Sequence, residues 1–208
     1  MACLDMVSRE GPEDPIHHYH SNYDSHHWMV EYGDPGFVTH RVMGQFLALV
    51  AYHLADDPII PFDLSNYDSE LEIYLADLEE TLSSSEVEGA ADLDISALRT
   101  SVANFANMAQ MATDYAAAAL ESGNEEAMHL INGKFRDFHR GFTSQGGLPN
   151  RDFYKHVLFA PGLDTGYAPV TFPGITEAIV EYENITMAEE WVVKTAAGID
   201  VAAGILQP

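Results

Sequence analysis

The sequence predicts an all-α protein: an up-and-down four-helix bundle (carried by four or five amphipathic helices) with an irregular N-terminal segment and one long loop. Three observations predict it. Beyond residue 37, apolar residues recur at spacings of three and four through most of the chain. Almost no stretch alternates apolar and polar residues as a half-buried strand does. Helix breakers and caps, such as Asp57-Pro58, Gly123-Asn124 and Pro173, fall between the periodic runs. Residues 1–37, rich in Pro, Gly, His and Tyr, have no helical period. The expected organisation is an irregular segment 1–37 and a helical domain 38–208.

The first helix is expected over 38–56, where Val42, Met43, Phe46, Leu47, Val50 and Leu54 share a face. Pro58 ends it, because a residue before proline is pushed out of the helical region. Pro58 and Pro61 keep the link extended. The second helix starts near Asp63 or Ser65, either of which can cap it. Its stripe is Leu64, Tyr67, Leu71, Tyr74, Leu78 and Leu82. The serines 83–85 and the acidic residues up to Asp94 read as a loop.

Asp94 can cap the third helix, the clearest of all. Ile95, Leu98, Val102, Phe105, Ala109, Ala112 and Ala116 line it, and its alanines permit close approach of a neighbour. Gly123 stops it. Asn124 caps the fourth. Glu125 and Glu126 open that helix, and Lys134, Arg136 and Arg140 lie toward its end, each sign matching the helix dipole. Met128, Ile131, Phe135, Phe138 and Phe142 form its stripe. Residues 148–172 are a long connection of the kind that is usually functional or well packed. A short helix follows from Pro173 through Ile179 to Tyr182. The last helix opens on a capping box, Thr186-x-x-Glu189, and carries Trp191, Val192, Thr195, Ile199, Ala202 and Leu206.

Charge and cysteine content exclude several functions. Nine Lys and Arg stand against 33 Asp and Glu in 208 residues, a formal net charge of −24. Nucleic acid and anionic membrane surfaces both require basic patches, so neither is an expected partner. The single cysteine, Cys3, excludes an internal disulfide and a Cys-rich zinc module. No apolar run is long enough to insert into a membrane. The first residues lack the basic and apolar regions of a signal peptide.

Five of the ten histidines fall between Ile16 and His27: His17, His18, His20, His26 and His27. Imidazole is the commonest metal ligand, and Asp24 lies among them. His18 and His20 would share a face if the segment were extended. The cluster reads either as a metal site or as packed and solvated histidines. A catalytic zinc needs three protein ligands, an open position and a base. The chain has no HExxH, CxxC, phosphate loop or GxSxG elsewhere.

Six blocks in order carry a resemblance. They are Tyr19-His-Ser-Asn-Tyr-Asp-Ser25, Gly33-Asp-Pro35, Leu54-Ala-Asp-Asp-Pro-Ile-Ile-Pro-Phe-Asp63, Leu148-Pro-Asn-Arg-Asp-Phe-Tyr-Lys-His-Val157, Ala160-Pro161 and Phe172-Pro-Gly-Ile175. From about residue 16 onward, the chain resembles the C-terminal part of the glutamate carboxypeptidase II and transferrin receptor family of M28 metallopeptidases, with fungal members nearest. The resemblance implies a transferrin-receptor-like dimerisation domain, a helical bundle that builds a homodimer, with a short tail of a protease-like domain before it.

It also implies roles for single residues. His20 matches the family's last zinc ligand, and Tyr19 a tyrosine beside the active site. Tyr167 matches a tyrosine that helps hold the substrate's C-terminal residue. Glutamate-selecting members have a lysine just before that tyrosine, where this chain has Gly166. The other zinc ligands and the catalytic glutamate precede this region in the family, so zinc belongs to the parent and no cofactor is expected in this chain alone. The parent is implied to be vacuolar, secretory or membrane-anchored.

Three functions follow. The first is a non-catalytic homodimerisation domain that completes a site rim through residues 148–172. The second is a helical module that binds a ligand or receptor. The third is a stand-alone zinc hydrolase using the His17–His27 cluster. Asn184-Ile-Thr186 also forms a glycosylation acceptor pattern at Asn184, meaningful only in a secretory compartment.

Overall fold

The computed structural model describes residues 6–7, 11–143, 145–164 and 166–208. Cys3 lies outside them. The chain divides into two compact units, residues 2–61 and 62–208. The sequence placed its division earlier, after residue 37.

The first unit begins as a series of turns. A single helical turn, α1 (His26–Trp28), runs into a wider π-turn over Met29–Gly33. Then comes α2 (Val38–Asp56). Asp34 organises its start. This buried carboxylate accepts from the backbone N–H of Thr39 at 3.0 Å and of His40 at 2.9 Å, and meets His40 Nδ1 at 2.7 Å. The His40 N–H is the largest influence holding the Asp34 carboxyl well below the usual carboxylate range.

The apolar stripe expected on α2 exists, but it is not core. Val42, Phe46, Leu47 and Leu54 are exposed, and α2 has no buried residue. Periodicity reports a face and not its cover. The described residues of this unit include no second long helix to lie on it.

The second unit contains the helical body. It comprises α3 (Leu64–Ser84), α4 (Ser96–Ser122), α5 (Glu125–Asp137), α6 (Pro173–Val180) and α7 (Ile185–Leu206). The stripes read from sequence form its core: Leu64, Leu71 and Leu78 from α3, Leu98, Val102 and Phe105 from α4, Ile131 and Phe135 from α5, and Ile199, Ala202 and Leu206 from α7. At the centre is an aromatic cluster. Tyr67 meets Phe138 edge to face at 5.1 Å, and Phe105 lies 5.7 Å from Phe142. Each such pair adds about 0.5–1.5 kcal/mol beyond its buried area.

Two glycines let backbones close in. A Cβ on Gly141 would strike the Ala202 backbone of α7, and one on Gly174 would enter the Trp191 ring. The helix caps follow the chemistry of short polar side chains. Asp63 accepts from Ser65 N–H at 3.0 Å and Asn124 from Ala127 N–H at 3.1 Å, whereas the cap position of α4 is Ile95 and the expected Asp94 stands one residue ahead of it, accepting from Ser96 N–H at 2.9 Å.

Four local expectations are corrected. Ser83 and Ser84 do not form a loop but finish α3, their hydroxyls donating to Glu80 O and Thr81 O. The fourth helix keeps α geometry only to Asp137, then tightens to 3-10 geometry over Phe138–Thr143, where Gly141 presses on α7. Thr186 does not begin the last helix. Asn184 caps it instead, accepting from Met187 N–H at 3.0 Å, after Glu183 turns the chain at φ 49°. The connection 148–172 holds a small antiparallel ladder of β1 (Phe159–Pro161) and β2 (Pro169–Thr171), pairing Phe159 with Thr171 and Ala160 with Val170.

Candidate functional site

The long connection is held by a buried ion pair. Arg151 Nη2 donates to both carboxylate oxygens of Glu177 on α6, at 2.6 and 2.5 Å, and its Nη1 donates to Pro161 O at the end of β1. Glu177 also accepts from Leu163 N–H at 3.1 Å. Both side chains are almost wholly buried, at 13% and 5% exposure. Burial pushes the Glu177 carboxyl up, while the Arg151 guanidinium pulls it back. The Arg151–Glu177 pair thus fixes the start, the ladder and the tip of the loop, Arg151 holding the ladder and Glu177 the tip. The tip closes on itself through Gly162 N–H to Ala168 O at 2.8 Å, and Gly166 takes a left-handed turn at φ 64°.

The pinned loop walls an open cleft of about 620 Å³, mostly apolar, lined by Tyr154, Lys155, His156, Phe159 and Tyr167 among others. Tyr167 stands at its mouth, 78% exposed. His156 stacks on Phe159 at 4.2 Å between ring centroids and tilts against Phe142 at 5.5 Å. Burial lowers the His156 pKa to about 4, so its ring is neutral at pH 7. His139 is lowered too, chiefly by burial, and its Nδ1 is buried with no hydrogen-bond partner among the described residues. The lining offers aromatic faces and an ammonium group. That is binding chemistry.

The histidine cluster is folded differently from an extended ligand strand. Ser21 N–H donates to His18 O at 3.1 Å in a turn, and His20 is left-handed at φ 61°. His18 and His20 therefore do not share the face of an extended segment. The His20 ring stacks on Tyr19 at 3.8 Å. His17 pairs with Asp24 at 2.9 Å and stacks on Trp28 at 5.2 Å. The His17 hydrogen bond holds the Asp24 carboxyl below its ordinary value. Among the described residues, no group of three or more His, Cys, Asp or Glu side chains is placed to hold a metal ion. The donors around His20 do not fit a zinc pair, which needs several converging ligands and a water. Tyr19 and His20 belong to the first compact unit, and Tyr167 to the second.

The outer faces of the helical body differ sharply in charge. On α3, exposed Glu70, Glu72, Asp77 and Glu80 face solvent, and the helix has no Lys or Arg. On α4, the stretch Thr100–Thr113 has no charged residue at all. The sequence profile of the transferrin receptor-like dimerisation domain matches residues 93–207, more than half of the chain and all of α4 through α7. The chain belongs to the transferrin receptor-like dimerisation domain family.

Relatives of this dimerisation domain are longer proteins. A probable glutamate carboxypeptidase of Arthroderma benhamiae is 48% identical over 99% of this chain and 28% of its own length. One from Arabidopsis thaliana is 32% identical over 83% of the chain and 24% of its own length. An inactive zinc metalloprotease of Schizosaccharomyces pombe is 24% identical over 86% of the chain and 23% of its own length. The chain thus spans about a quarter of the relatives it matches. No helix among the described residues is long and apolar enough to cross a membrane.

Sequence reasoning missed the Arg151–Glu177 pin and the Asp34 hub. One signal for the first was present: Arg151 is one of only nine cationic residues in a chain of net charge −24. Its partner on α6 lies 26 residues away and carries no local mark.

Proposed function

We propose that the chain is a non-catalytic self-association module that pairs with a second copy as a homodimer. The single observation behind the reading is the coincidence of the family match, residues 93–207, with the helical body from α4 to α7. In a longer parent of the M28 kind, a zinc-dependent carboxypeptidase, the pinned loop would bring Tyr167 to the rim of the site. Tyr19 and His20 would stand beside the metal there, with the other ligands supplied by polypeptide this chain does not contain. No hydrolysis is assigned to these 208 residues.

Sedimentation velocity at micromolar concentration tests the pairing. A dimer that strengthens as salt rises from about 10 mM to 150 mM supports it, because added ions screen repulsion between two acidic copies. A monomer at every salt concentration overturns it. A peptidase assay with added zinc tests the rest. Turnover that disappears in His20→Ala would overturn the non-catalytic assignment. The exposed aromatic cleft favours a second reading, a ligand- or receptor-binding module. A partner retained in high salt by the parent chain and lost by Tyr167→Ala would support it.

A further inference from the structure

We propose that the cleft walled by residues 143–169 takes a small organic acid, its aromatic body lying on the rings of the wall and its carboxylate meeting Lys155. The assignment rests on the ligand-binding reading and names the ligand's chemistry.

The wall presents rings left open to solvent. Phe153 is 88% exposed, Tyr167 78% and Phe159 48%. Large apolar groups gathered on one exposed patch mark a contact surface. Their backbone is fixed beforehand. The Arg151–Glu177 pair holds the connection, and the Arg151 guanidinium also lies 5.3 Å from the centroid of the Tyr154 ring. Leu148 N–H donates to Tyr154 O and Val157 N–H to Phe142 O, both at 2.8 Å. A wall ordered in advance loses little freedom when a ligand arrives.

Charge singles out one group of the lining. Lys134 donates to Ile205 O and Gln207 O, and Lys194 reaches Glu190 and lies over the Trp191 ring. Lys155 is the third lysine of a chain with 33 acidic residues, yet it has no ion pair or hydrogen bond among the described residues. The described lining contains no Asp or Glu. His156 is neutral at pH 7, so the Lys155 ammonium is the one charge of that lining. A single cation beside an apolar, aromatic wall matches an acid with an aromatic body. The net charge of −24 opposes an anion at long range, but salt at about 0.15 M screens exposed charges beyond about 8 Å.

The rim favours a free acid over a peptide. The cleft volume of about 620 Å³ lies within the range of about 300–1,000 Å³ usual for small-molecule sites. Pro161 and Pro169, paired at the end of the β1–β2 ladder, both line the cleft. Neither has an N–H to offer an added strand, and Pro161 O is already held by Arg151.

The test is a titration of the full chain at about 0.15 M salt, followed by NMR chemical shifts, with 3-phenylpropionate, its neutral amide and a tripeptide ending in phenylalanine. The acid is expected to bind with a dissociation constant of about 1 mM, as fits a fragment of its size. The amide should bind about fivefold more weakly, because an exposed ion pair contributes modestly. Lys155→Met should weaken the acid by the same factor and leave the amide unchanged, which removes the preference. Lys194→Met makes the same change of charge elsewhere and should alter neither. Phe159→Ala should weaken acid and amide alike, and Phe153→Ala replaces it if circular dichroism shows misfolding. Equal binding of acid and amide, or a preference that survives Lys155→Met, removes the carboxylate assignment while the ligand-binding reading stands. Tighter binding of the tripeptide than of the free acid overturns the choice of a small acid. If neither acid nor amide binds at about 20 mM, the proposal fails, and a receptor is the remaining form of the second reading.

Discussion

Mild acid should loosen the loop through His156. Its ring lies between Phe159 and Phe142, and burial lowers its pKa from 6.5 to about 4. The unfolded chain takes up a proton near pH 6.5, whereas the folded chain resists until about pH 4. Between those values the unfolded state binds more protons, so stability falls as pH falls. At about 1.4 kcal/mol for each tenfold change in proton affinity, the full loss is about 3 kcal/mol, and about 2 kcal/mol of it is complete by pH 5. His139, lowered chiefly by burial, adds in the same direction. The lowered carboxyls of Asp94 and Asp137 act in a different window, below the ordinary carboxylate value of 3.8, where protonation removes their contribution. Glu177, raised by burial, acts oppositely, since its contribution is lost as pH rises. The assay is urea unfolding at pH 7 and pH 5, at one protein concentration, for the parent chain and for His156→Gln. The parent should lose about 2 kcal/mol more than the variant between the two pH values. Equal losses in the two proteins would refute the burial argument.

Other perturbations probe the same framework. Arg151→Met strands the Glu177 carboxylate and should cost about 3–5 kcal/mol in chemical unfolding, whereas Arg151→Met with Glu177→Leu should recover most of it. Gly174→Ala drives a methyl group into the Trp191 ring and should cost about 1–3 kcal/mol, read as a lower melting temperature with a shifted tryptophan fluorescence. Asn184→Ala removes the α7 cap and should cost about 1 kcal/mol, while Thr186→Ala should cost less, a comparison that checks which residue caps the helix.

The helical body was legible because its core faces repeat. Leu98, Val102, Phe105 and Ala109 announce one side of α4 without any tertiary knowledge, and Asp63 and Asn124 mark helix starts by local chemistry. What lay outside that code was contact between distant segments. The exposure of Phe46 on α2 depends on what surrounds it, and a face has the same pattern whether or not it is covered. Asn184 outcompetes Thr186 because Glu183 adopts a left-handed turn just before it, a conformation no spacing rule reports. The candidate site was legible only in part. Tyr167 was named, but the cleft around it depends on Arg151 reaching across 26 residues to Glu177.

The position of α7 in the chain has a consequence for synthesis. This helix packs on α4, α6 and the turn at Gly141, all of which leave the ribosome before it. Until Trp191 and Leu206 arrive, the earlier helices expose the surface that α7 will occupy. Nascent chains must therefore wait in a partly open form, vulnerable to proteases and to one another, and closure comes as one late step. Pulse-proteolysis of stalled chains would show that step as an abrupt gain of resistance once α7 clears the exit tunnel.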